Sequence, residues 1–264
     1  YAAHATELLA RTARVLGEEG LAKDSAERCE RLKQGWRAQF AEEALATQTG
    51  CALAIAFGLV PDGERRRYGD RLTELVHAAG DHLATGFLGT PLLLPALSQT
   101  GHHDIACALL RQDTPPSWLY QIKAGATTIW ERWDALRPDG SVPTASLAGS
   151  AGGMVSFNHY AYGSVAGWLH RFVLGIAPDA ADPGYHRIVV APRPCAHLTA
   201  ASGTLRTRYG EVRVAWRVNG GRFDLALDVP PNARAGVRLP GGEQVEVGSG
   251  HHELRAPAPE GCPG

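Results

Sequence analysis

Near Pro178 the spacing of apolar residues changes period, and that change decides which layers the chain can build. Before it, apolar residues recur at helical intervals: Leu8, Leu9, Thr12, Val15 and Leu16 in one segment, then Trp36, Phe40, Ala44 and Leu45 in a second. Ala52-Leu-Ala-Ile-Ala-Phe57 ends at Gly58 and Pro61, Arg65 to Ala79 carries Leu72, Leu75, Val76 and Ala79, and Leu92 to Leu97 precedes Gly101-His-His-Asp, which opens a helix through Leu110. After Pro178 the runs are short and alternating: Arg187 to Ala191, Val212 to Val218, Phe223 to Val229 and Val237 to Leu239. Asn219-Gly220 between two of them marks a hairpin. The fold class is therefore mainly α with a β domain: helices over residues 1–180, an antiparallel β-sandwich over 181–256, and a Pro- and Gly-rich tail at 257–264 expected to be disordered.

Composition excludes several functions. The formal charge of −1 gives no basic stripe for a phosphate backbone, so no nucleic-acid partner is expected; Arg65, Arg66 and Arg67 read as a solvated helix face. No apolar run is long enough to span a membrane, so no membrane partner is expected either. The five cysteines, at positions 29, 51, 107, 195 and 262, contain no Cys-x-x-Cys pair, which argues against a zinc ribbon and against a disulfide framework. Adjacent His102-His103 and His251-His252 cannot both face one ion, and no phosphate loop or nucleotide fingerprint occurs, so neither metal nor cofactor is expected.

The chemistry concentrates in Gly125-Ala-Thr-Thr-Ile-Trp-Glu-Arg-Trp-Asp134 and Ser156-Phe-Asn-His-Tyr-Ala-Tyr-Gly163. A carboxylate among indoles, joined by an imidazole from a second segment, suits a polyhydroxylated ring: flat apolar faces for its C–H side, ionisable groups for its oxygens. A plainer reading competes, because Thr128-Ile-Trp-Glu131 also matches a capping box, with Glu131 reaching back to the helix N-terminus. The two overlap, since the helix dipole there would favour the carboxylate that a base requires. Trp130 and Trp133 would share one helix face, with Trp118 and Tyr120 nearby from the preceding loop.

These two segments, with Gly86-Phe-Leu-Gly-Thr-Pro91 and Ser117-Trp-Leu-Tyr-Gln121 in the same order, resemble the C-terminal part of the bacterial α-L-rhamnosidases, glycoside hydrolase family 78, closely from Thr47 to Pro194 and loosely elsewhere. The resemblance implies part of an (α/α)6 toroid followed by a small β-sandwich, and inverting hydrolysis of terminal α-L-rhamnosides. It implies Glu131 as the general base, and His159 as a ligand to a sugar hydroxyl. Trp118, Tyr120, Trp130 and Trp133 become candidates for substrate binding, with Glu131, His159 and at least one of the indoles lining one pocket. The family carries its general acid in an acidic stretch with an Asp-Glu-Arg and a Gly-Trp; no such run occurs here, which leaves Asp134 and Glu64 as the acids to examine. About six to eight helical segments are visible, fewer than a closed ring needs, and the join Ala44 to Thr49 is short. A fragment is thus expected, its partners being a rhamnose-containing glycoside and, over the open ring, the remaining part of the same protein or another copy. Two alternatives remain: a non-catalytic carbohydrate-binding or scaffolding protein, and another toroid enzyme such as a glucuronidase-like hydrolase or polysaccharide lyase.

Overall fold

The computed structural model describes residues 1–143, 155–259 and 261–262, in two compact units, Tyr1–Tyr162 and Gly163–Gly264. In the first, seven helices follow one another: α1 Ala2–Val15, α2 Glu19–Ala44, α3 Gln48–Ala56, α4 Asp62–Ala78, α5 Thr90–Gln99, α6 His103–Arg111 and α7 Trp118–Lys123. Packing runs α1 on α2, α3 on α4 and α5, α5 on α6 and α6 on α7, around Ile55, Leu72, Val76, Leu93, Leu97 and Leu109. The short join after α2 is a tight turn whose Thr47 hydroxyl accepts from Gly50 N–H and caps α3.

A single buried amide ties three elements of this unit together. Gln48, 2% exposed, donates from Nε2 to the carbonyls of Leu75 (3.3 Å) and His82 (3.0 Å), and its Oε1 accepts from Ala84 N–H at 2.8 Å. It thereby satisfies the C-terminal end of α4 and the loop beyond it.

The apolar stripe of α1 does not face inward as its spacing predicts. Leu8 and Leu9 are about half exposed, Leu16 more so, and Val15 is 86% exposed, while Ala3, Ala10 and Ala13 are buried. The buried residues of the facing part of α2 are also small, Ala22, Ser25 and Cys29, and Cys29 Sγ donates to the Ala3 carbonyl at 3.3 Å. Close approach of the two backbones through small side chains selects the alanine face and leaves the leucines outside. Ala79, expected on the inner face of α4, is exposed as well, because it lies past the helix end.

The second unit begins within a helical run, residues 161–174, that passes from a 3-10 turn (Ala161–Ser164) through α8 (Val165–Trp168) to a π-helical end (Leu169–Leu174). The π-helical end packs on the strands, with Trp216 Nε1 donating to the Val173 carbonyl at 2.9 Å, which draws most of the run into this unit. Eight strands follow: β1 Ile176–Pro178, β2 Arg187–Val190, β3 Ala200–Thr207, β4 Gly210–Asn219, β5 Arg222–Val229, β6 Arg234–Arg238, β7 Gln244–Val247 and β8 Gly250–Pro257. They form two sheets, β1-β2-β6-β7 and β3-β4-β5-β8. The second is antiparallel throughout; the first holds one parallel pair, β2 with β6, made possible because β3 to β5 form the long crossover between them. Val214, Trp216 and Val218 pair in register with Leu227, Leu225 and Phe223 on the buried face. The β4–β5 turn is Gly220-Gly221, one residue later than Asn219-Gly220, since Asn219 already pairs with Arg222 and both glycines take positive φ. Of the tail expected to be disordered, Pro257 closes β8 and Ala258 N–H donates to the Gly221 carbonyl at 2.9 Å, whereas residues 260, 263 and 264 lie outside the described residues.

Gln48→Leu should lower the unfolding free energy by about 2 kcal/mol, because it removes the side-chain partner of the His82 carbonyl and of the Ala84 N–H, while the Leu75 carbonyl keeps the Ala79 N–H. Urea unfolding followed by circular dichroism measures this; a loss under about 1 kcal/mol would mean that water replaces the amide.

Candidate active site

Five separate stretches of the helical unit converge on a cleft of about 670 Å³: Thr49 from the first turn of α3, the loop Thr85 to Gly89 before α5, Pro115-Pro116 before α7, Glu131 to Asp134, and Tyr162. The loop before α5 is rigidly built. Thr90 Oγ1 donates to the Gly86 carbonyl at 2.9 Å and lies 2.8 Å from Thr85 Oγ1, while a Cβ on Gly89 would come within 2.5 Å of Thr49 Oγ1. Glycine at 89 therefore serves this close packing. Gly86, which lines the cleft, would meet nothing within 4 Å.

Thr128 to Glu131 do not start a helix, so neither the capping box nor the helix-dipole argument holds. The backbone here pairs instead with the second chemistry-bearing segment: His159 N–H donates to the Ile129 carbonyl at 2.8 Å and Glu131 N–H to the Ser156 carbonyl at 2.9 Å. Thr128, the expected cap, donates its hydroxyl to the Phe157 carbonyl. These partners compete with any i to i−4 ladder for the same groups, and the tertiary pairing prevails. What holds the Glu131 side chain is Ser156 N–H, 2.8 Å from Oε2; Oε1 has no hydrogen-bond partner among the described residues. One carboxylate oxygen is fixed and the other is left for a ligand or water.

Of the three indoles, only Trp133 lines the cleft. Its ring stacks on Tyr162 (centroids 3.9 Å apart, 4° between planes), and its Nε1 donates to the Thr85 carbonyl at 2.8 Å. Trp118 is buried edge-on against Trp133 and donates to the Tyr162 carbonyl at 2.9 Å. Trp130 is buried edge-on against Phe157. Tyr120 spends its hydroxyl on the Leu136 carbonyl at 2.9 Å. These three build the wall behind the cleft rather than its surface. The helical face expected for Trp130 and Trp133 is absent, and the bends between them turn the two rings to different surroundings.

His159 sits beside the cleft lining. Its ring stacks on Tyr160 and lies 6.1 Å from that of Phe87, which does line it. Nδ1 accepts from Ala161 N–H at 3.3 Å, which places the proton of the neutral ring on Nε2, and that nitrogen has no partner among the described residues. The pairing of His159 with Ile129, two residues before Glu131, brings the two backbones within about 10 Å.

The sequence reading missed Tyr162, Arg132, Thr85 and Phe87. Tyr162 and Phe87 lie inside the quoted motifs, so aromatic residues flanking the named positions were the available signal. Arg132 binds both oxygens of Asp134, Nε to Oδ1 and a terminal nitrogen to Oδ2, each at 2.9 Å, with Arg137 at 3.7 Å. Asp134 therefore has no free oxygen to offer a leaving group. Glu64 faces Arg67 at 3.7 Å on α4, away from the lining.

Residues 1–173 match the family model described as the bacterial alpha-L-rhamnosidase 6 hairpin glycosidase domain, and residues 175–253 the bacterial alpha-L-rhamnosidase C-terminal domain. The sequence is 41% identical over 266 residues to an alpha-L-rhamnosidase of Streptomyces avermitilis, covering 99% of this chain and 25% of that protein. It is also 41% identical over 248 residues to an alpha-L-rhamnosidase of Formosa agariphila, 90% of this chain and 25% of that one. The crystal structure of the Streptomyces avermitilis alpha-L-rhamnosidase complexed with L-rhamnose superposes with a TM-score of 0.88 at 38% identity, over 96% of this chain and 26% of that one. The native enzyme of Aspergillus terreus superposes with a TM-score of 0.89 at 39% identity, over 96% and 29%. The chain spans about a quarter of the length of the curated relatives it matches.

Burial, then the charges of Asp134 and Glu131, push the Tyr162 phenol from 10 up to about 12. Its folded value is raised, so the stabilising effect of the buried phenol is complete below pH 10 and is lost as pH climbs through 12. Tyr162→Phe keeps the stack on Trp133 and should lose unfolding free energy less steeply between pH 9 and 12 than the parent, with a residual slope from buried Tyr68. Superimposable alkaline profiles would assign the loss to other groups.

Proposed function

This chain belongs to the bacterial α-L-rhamnosidase family, and we propose that it supplies the water-activating half of an inverting α-L-rhamnosidase site, with Glu131 as general base. The observation that carries the reading is the single-sided anchoring of that carboxylate: Oε2 is fixed by Ser156 N–H, Oε1 has no partner among the described residues, and Glu131 lines a cleft walled by Trp133 and Phe87. Inversion needs a base that polarises water on one face of the sugar and an acid about 6.5–9.5 Å away that protonates the departing oxygen. Glu131 fits the first role. The second has no candidate in this cleft among the described residues, since Asp134 is taken by Arg132, so the proton donor comes from elsewhere in the intact protein.

In this reading Trp133 offers an apolar surface to the C–H face of an α-L-rhamnoside, kept in place by its hydrogen bond to Thr85 and its stack on Tyr162. His159, with Nε2–H unengaged, donates to a ring hydroxyl at the margin of the site. Trp118, Trp130 and Tyr120 act through Trp133 and the Glu131 segment and do not touch sugar themselves. The absence of a second free carboxylate also favours one other reading, a cleft that binds rhamnosides without cleaving them.

General acid assistance is worth about 10²–10⁴ in rate, so this chain should hydrolyse aryl α-L-rhamnosides with poor leaving groups negligibly while turning over a dinitrophenyl rhamnoside measurably. Glu131→Gln should abolish that residual turnover and leave L-rhamnose binding within about twofold by calorimetry. Brisk cleavage of the poor leaving group would mean the chain holds its own acid; binding without any Glu131-dependent turnover would favour the non-catalytic reading; no binding of L-rhamnose would remove both.

A further inference from the structure

The outer face of the β3-β4-β5-β8 sheet carries a trough of about 620 Å³, inside the second unit and separate from the cleft. Side chains alternate along each strand, so the pairing register sorts the outward residues into rows that cross the sheet. The middle row is Ser202, Ala215 and Ala226, ending at Glu253 on β8: small side chains that leave the floor open. The next row along the strands holds Arg217, Asp224 and Arg255, and the row on the other side holds Arg213 and Asp228. Two flanking rows four residues apart stand about 13 Å from each other, and four strands measure about 14 Å across. That is room for a single chain of a few pyranose rings and too narrow for a nucleic-acid duplex.

The charges in the trough do not cancel. Asp224 is shared: Arg222 Nε lies 2.8 and 3.0 Å from its two oxygens and Arg255 Nε 3.4 Å from one of them. Arg217, directly opposite Asp224 in register, has no ion-pair partner among the described residues. A planar guanidinium standing exposed on a floor of small residues, with its natural counter-ion already taken, is the donor geometry that receives a carboxylate in two parallel bonds. Asp224 and Glu253 beside it supply acceptors for the hydroxyl groups that line a saccharide chain and that a deoxynucleotide backbone largely lacks.

We propose that this trough is a second saccharide-binding site, one that takes a chain bearing carboxylated sugars, with Arg217 as the carboxylate anchor. The site does not depend on the role given to Glu131, and it would hold an acidic polysaccharide on the same polypeptide as the cleft. The whole chain is titrated calorimetrically with tetragalacturonate, with maltotetraose as the neutral match and a tetradeoxynucleotide as an anionic chain with few hydroxyl groups. Tetragalacturonate should bind, maltotetraose and the nucleotide at least about 10-fold more weakly, and Arg217→Ala should weaken tetragalacturonate by about 10-fold. Ala215→Asp, which puts bulk and negative charge on the floor, should have at least as large an effect. L-rhamnose binding in both variants reports on the cleft and on correct folding, so failure of the trough and failure of the cleft reading are separate outcomes. No binding of tetragalacturonate, equal binding of either comparison ligand, or an unchanged affinity in both variants would each overturn the proposal.

Discussion

Ser156 N–H holds Glu131, and the candidate site depends on that bond. The two residues exchange two hydrogen bonds, Glu131 N–H to the Ser156 carbonyl and Ser156 N–H to the Glu131 carboxylate, and His159 N–H to the Ile129 carbonyl pairs the same two segments beside them. The carboxylate is thus held by a backbone donor whose own position is fixed by the pairing of the two segments. It is therefore preorganised at little entropic expense when a ligand arrives. The same pairing explains why this stretch is not helical: its backbone donors and acceptors are satisfied across the chain, so a local helix has nothing to add.

Around that bond the aromatic residues divide into those that meet the cleft and those that hold it. Trp133 meets it, and three contacts fix the ring: Thr85 at its nitrogen, Tyr162 on its face and Trp118 at its edge. Trp118 in turn donates to Tyr162, so the stack is closed by a hydrogen bond and does not rest on dispersion alone. Arg132 plays the corresponding role among the charges by occupying Asp134, which leaves Glu131, among the described residues of the cleft, as the carboxylate with an unpaired oxygen.

Much of this architecture was legible before any coordinates. Helix existence in α3 to α6 followed from periodicity and from Gly and Pro punctuation, and β4 and β5 from strict alternation ending at a glycine turn. Strands β1, β3, β7 and β8 were missed, because β3 and β8 carry small or charged residues on their open face and β1 and β7 are too short to show a period. The inward face of α1 was misassigned for a related reason: leucines score as core in any pattern count, yet close helix approach prefers alanine. Motif order singled out Glu131, Trp133 and His159 as candidates, whereas the burial of Trp118 and Trp130 had no signature in the sequence.

By itself the sequence determined most of the element types, the helical-then-β order and the three motifs that reach the cleft, since those depend on local spacing and on residue chemistry carried by each segment. Only the tertiary structure decided that Thr128 to Glu131 would not be helical, which of three indoles would face the cleft, and that Asp134 would be paired with Arg132. Each of those outcomes is a competition between a local partner and one brought from at least two residues, and usually tens of residues, away. The winner depends on distances that exist only once the chain has closed on itself.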